Sequence, residues 1–300
     1  MEILFEDKDI NNFLKGQLAA GKEEYDQDTF FQALSEVQCI NYVANMVPDC
    51  EKIECEYEPK NNGSSNPEAR IKFGETEMSN SVYDIEVKTA KFEEVPIEEG
   101  KRYIKLNIPL LNNGYNHLKE MAKLCNYHVI SPNYLKVKDY IISADKKFIE
   151  PSDENHVNIL FINWSFISPT ASGIMEPCSL LYDENVGLLK SEILHDICKI
   201  NKDYLKKISA IVVYCDNYDS FISVNLLNSV SLGLCKVMIN DKFCKHVNKE
   251  KILKDLRIQE ASSVDGKICE FWGNLSSNKE EDFEDAYVMA EVAKVLYKFM

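Results

Sequence analysis

Three hundred residues, 45% hydrophobic and 28% charged, are ordinary for a folded globular chain and enough to bury one large core or two small ones. No run of roughly 18 apolar residues occurs, which excludes a membrane-spanning helix, and the acidic opening Met1-Glu2-Ile3-Leu4-Phe5-Glu6-Asp7 lacks a signal-peptide layout, so a cytoplasmic protein is expected. The formal charge of −15 argues against a general nucleic-acid binder, because phosphate repels an acidic surface.

In chain order, Asp26 to Val47 reads as a helix, with Asp28 as its candidate N-cap and Phe30, Phe31, Leu34, Val37, Ile40 and Val43 or Ala44 recurring at helical spacing. Pro48 ends it. Ile53 to Tyr57 alternates and reads as a strand. Residues 60–67 are a loop by composition, Glu68 to Phe73 a second strand, Gly74 to Ser81 a turn, and Val82 to Phe92 a third strand. Tyr115 to Cys125 and Pro132 to Lys147 read as helices, the second opened by Ser131-Pro132. The apolar runs 157–164 and 208–214 are typical of buried central strands. Between them lie a long loop from about Ser165 to Asn185, punctuated by Pro169, Gly173 and Pro177, and a helix from Leu188 to Ile200. Lys249 to Leu256 and Phe283 to Phe299 complete the helices.

This order mixes an antiparallel meander with later strands reached through helices. It implies an α/β (α+β) fold in which a mixed central sheet is flanked by helices. The expected division is a core over residues 1–240 and a C-terminal helical extension, 241–300, packed on it.

The charge is unevenly spread. Residues 1–100 carry 9 Lys/Arg and 23 Asp/Glu, whereas residues 101–147 carry 9 and 3. A basic tract thus follows a strongly acidic one, an asymmetry that hints at an anionic partner on one face. Lys136, Lys138, Lys146 and Lys147, with a second basic stretch from Lys236 to Arg257, are candidates to track a nucleic-acid backbone. The ten cysteines include no Cys-x-x-Cys, and the five histidines show no zinc spacing; buried reduced thiols are expected. Phosphate-binding glycine loops and the Gly-x-Ser-x-Gly elbow are absent from the sequence.

One strand concentrates charge. In Tyr83-Asp84-Ile85-Glu86-Val87-Lys88, the period of two sets Asp84, Glu86 and Lys88 on one face and Ile85 and Val87 on the other. Two carboxylates and an ammonium in one row suit a divalent cation and a phosphate. They equally suit a half-exposed strand whose charges pair across the sheet. Asp/Glu-x-Lys occurs six times in the chain, so the tripeptide alone is uninformative; Glu86 differs in lying on a strand with an apolar inner face.

A helix, then a three-strand meander with an acid on its second strand and Glu86-Val87-Lys88 on its third, then a helix and another strand, resembles the PD-(D/E)XK nuclease superfamily. Pro67-Glu68 would occupy the family's Pro-Asp position, and the resemblance covers roughly residues 26–215. It implies a restriction-endonuclease-like core with extra C-terminal helices and a metal-dependent nuclease acting on phosphodiester bonds, in DNA rather than RNA. Magnesium or manganese would be held by Glu68 and Glu86 with the carbonyl beside Val87, and Asp84 is an alternative ligand. The ion would bind a phosphoryl oxygen and polarise a water. Lys88 would position or deprotonate that water, or steady the developing charge. Glu36, on the preceding helix, is a further acid aimed at the site. A one-site enzyme cutting both strands would act as a homodimer.

Here the family's usual aspartate is Glu68, longer by one methylene, a displacement that catalysis notices. A second reading follows: a nuclease-like fold without the reaction, serving as a protein- or nucleic-acid-binding module. A third is an acidic interaction protein of unrelated fold whose carboxylates form one exposed stripe.

Overall fold

The computed structural model describes residues 15–16, 26–46, 52–60, 65–74, 81–90, 102–106, 119–120, 122–124, 126–130, 134–164, 174–184, 187–192, 195, 199–215, 232–262 and 269–273. The chain divides into two units: Met1–Phe92, Asp139–Ile174 and Asn201–Glu260 form the first, and Glu93–Lys138, Met175–Ile200 and Ala261–Met300 the second. This differs from the expected boundary at 240. Ile252, Leu256 and Ile258 lie beyond that point yet are buried in the core of the first unit.

The first unit is a six-stranded mixed sheet with helices, as the element order implied. Its strands are β1 (Lys52–Tyr57), β2 (Ala69–Gly74), β3 (Ser81–Thr89), β6 (His156–Asn163), β7 (Ala210–Cys215) and β8 (Leu234–Ile239), hydrogen-bonded in that order. β1, β2 and β3 form the antiparallel meander. β3, β6 and β7 run parallel, and β8 returns antiparallel to β7. The parallel strands are apolar on both faces because both are covered. Tyr83, Ile85, Val87, Ile159, Phe161 and Val212 join one cluster with Cys39, Ile40 and Val43 of helix α1 (Gln27–Ala44). Leu160, Ile162, Ile211 and Val213 are fully buried on the other side.

Helix α1 is capped two residues earlier than expected. Asp26, not Asp28, is the N-cap and accepts the Thr29 N–H at 2.7 Å. Of the expected face, Ile40, Val43 and Ala44 are buried, together with Ala33, Ser35, Glu36 and Cys39, while Phe30, Phe31, Leu34 and Val37 are half-buried. Helix α2 (Tyr134–Lys147) buries Val137, Ile141 and Ala144, a stripe that continues at Phe148. Helix α4 (Lys249–Leu256) is capped by Asn248, which accepts the Lys251 N–H.

In the second unit, β4 (Arg102–Leu106) pairs parallel with β5 (Tyr127–Ile130) and antiparallel with β9 (Cys269–Gly273). The expected loop 165–185 contains helix α3 (Met175–Tyr182), with Pro177 in its first turn, where a missing N–H is tolerated. Within the expected helix 188–200, residues 188–190 form a turn and only His195 is helical among the described residues. The expected helix 283–299 lies outside the described residues. Among those described, no helix is long and apolar enough to cross a membrane.

Candidate functional site: a buried carboxylate–lysine cluster

The ladder between β2 and β3 pairs Ala69 with Ile85 and Arg70 with Asp84. One step beyond Ala69, the Glu68 N–H still donates to the Ile85 carbonyl at 2.9 Å. Continuing that register sets Glu68 opposite Glu86. Like charges directly opposed across a sheet repel, and a cation between them relieves the repulsion. Lys147 supplies it. Its Nζ is 2.7 Å from Glu68 Oε1 and 2.9 Å from Glu86 Oε1. Lys88 adds a second ammonium, 2.7 Å from Glu86 Oε1.

The end of α2 is pinned where Lys147 needs to be. The Lys207 ammonium donates to the Asp145 carbonyl at 2.7 Å, and the Ser65 hydroxyl donates to the Lys146 carbonyl at 3.1 Å. Asn158 on β6 donates to the Ile149 and Lys207 carbonyls at 2.7 and 2.6 Å. The bonds to Asp145 and Lys146 satisfy carbonyls that a helix end would otherwise leave without donors.

Glu36 is the third acid. It projects from the buried stripe of α1 and accepts a hydrogen bond from Gln32 at 3.2 Å. Burial, then the field of Glu68, raises its pKa to about 8, so it keeps its proton at neutral pH. Burial, then Glu68, likewise lifts Glu86 to about 7, against the opposing pull of Lys88 and Lys147. Burial alone would lower the Lys147 ammonium, but the fields of Glu86 and Glu68 outweigh it and hold it above the usual lysine range. Three buried oxygens of the cluster, Glu36 Oε2 and both of Glu86, have no hydrogen-bond partner; Glu86 Oε1 is held by its two ion pairs.

The four residues expected at the site therefore divide. Glu68, Glu86 and Lys88 come together. Asp84 does not join them: its Oδ1 accepts from Arg70 Nε at 2.6 Å, and its Oδ2 accepts from Arg70 Nη2 at 2.7 Å and lies 3.2 Å from His156 Nε2. Burial would raise the Asp84 carboxyl, but the hydrogen bonds from His156 and Arg70 hold it below the usual range. Asp84 and Glu86 are fully buried rather than outward-facing, because the sheet face they occupy is covered. The pairing of opposite charges across the sheet thus describes Asp84, while Glu86 belongs to the cluster.

Lys147 was the residue whose role sequence reasoning missed. It belongs to the basic tract, but it sits three residues beyond Ala144 on the core-facing stripe of α2, and a lysine in that register is the signal. Lys146 beside it is exposed.

The cluster's acceptors are carboxylate oxygens, the kind a hard cation prefers. Its centre is taken by an ammonium, and among the described residues no group of three or more His, Cys, Asp or Glu side chains is gathered to hold a metal ion. The chain matches no family model, and it matches no curated protein and no solved structure.

Proposed function

We propose that the protein is a metal-dependent nuclease that hydrolyses phosphodiester bonds, DNA before RNA, in the cytoplasm, and that the PD-(D/E)XK resemblance reflects this activity. One observation carries the reading: Glu68, just before β2, and Glu86, on β3, converge on a single cationic atom, with the Lys88 amine alongside. Magnesium or manganese held by Glu68 and Glu86 would supply Lewis-acid polarisation of a phosphoryl oxygen. Lys88, fixed by its ion pair with Glu86, would stabilise charge that grows on the phosphate in the transition state. Glu36, protonated at neutral pH, keeps the total charge of the buried cluster low enough to tolerate. A dimer would place two such sites on a duplex.

Cleavage of single- and double-stranded DNA and of RNA, with magnesium or manganese, tests the proposal. We expect metal-dependent cleavage of DNA that is lost in Glu86→Ala and Lys88→Ala. No metal binding by calorimetry, with no cleavage of any nucleic acid, would overturn it.

The second reading, a nuclease-like fold without the reaction, is favoured by a different observation: Lys147 already neutralises both acids. Capture of a protein or nucleic-acid ligand by a chain that binds no metal would favour that reading.

A further inference from the structure

We draw no further inference here: the strongest candidate, the cavity between the first turn of α1 and the end of β3 that Asp26, Asp28, Thr29, Gln32 and Thr89 line, is a helix N-terminus beside two aspartates, and nothing in the structure shows what it would hold.

Discussion

Arg70 and Asp84 face each other across the β2–β3 ladder and share two hydrogen bonds, Nε to Oδ1 at 2.6 Å and Nη2 to Oδ2 at 2.7 Å. The pair is bidentate, and Asp84 is fully buried. Arg70→Ala would strand a buried carboxylate with His156 as its remaining partner, and should cost about 3–5 kcal/mol in urea unfolding. Arg70→Met with Asp84→Leu removes both charges and should recover most of that loss. A double variant as unstable as the single one would show that the pair does more than cancel its own burial. The sign of the pH effect follows from the depressed Asp84 carboxyl: its contribution is present above the ordinary aspartate range and is lost as pH falls through the lower folded value.

Glu36 should make stability fall toward alkaline pH. Its folded pKa is raised from 4.5 to about 8, so the folded state binds the proton more tightly than the unfolded chain. The associated stability is complete below about pH 4.5 and is lost as pH rises through about 8. Glu36→Gln carries no such proton. Its unfolding free energy should therefore decline less than that of the wild type between pH 5 and 8, by on the order of a few kcal/mol. Parallel stability curves for the two proteins would contradict the burial of an ionisable group at this position.

Lys88 and Glu86 should separate in their effects on chemistry. Lys88→Ala removes an ammonium from beside Glu86 and should lower cleavage by about 100-fold to 10,000-fold. Because Lys88 is not a ligand, metal affinity should change little by comparison. Glu86→Gln should lose both affinity and cleavage. Calorimetry and single-turnover cleavage, run on the same preparations, distinguish the two outcomes.

Asn240 ties the end of β8 to the segment before β7. Its Nδ2 donates to the Leu205 and Ile208 carbonyls at 2.7 and 2.8 Å, and its Oδ1 accepts from the Phe243 N–H at 3.2 Å. All of Asn240 is buried. Asn240→Ala leaves two carbonyls and an N–H without this partner and should cost about 2–4 kcal/mol in denaturant unfolding. It should leave metal affinity unchanged, since the residue lies away from the acids.

The central strands and the meander were legible because burial leaves a plain mark on sequence. The runs 157–164 and 208–214 are apolar on both faces, and 82–89 alternates. β8 was missed because its first half, Leu234-Cys235-Lys236, is exposed or half-buried and carries no clean pattern. β4, β5 and β9 are short, and the partner of β4 in β9 lies far along the chain, where local reading has no access to it. α3 was hidden by Pro177, which punctuates a loop and a first helical turn equally well. At the site, Glu86 was legible through strand spacing and Glu68 through the Pro67-Glu68 resemblance. Glu36 and Lys147 were harder because a charged residue on a helix is solvated by default. Each instead lies on the stripe that its neighbours bury, and only the set of contacts around that stripe shows why the charge is tolerated.

The cluster also sets an order of assembly. Arg70 and Asp84 are 14 residues apart, whereas Lys147 is 79 from Glu68. Closing the shorter loop costs less chain entropy, so the hairpin can form while α2 is still distant. The two acids then meet before the ammonium that reconciles them arrives. Refolding should therefore pass through a species that repels itself electrostatically, and added salt should speed the step by screening it.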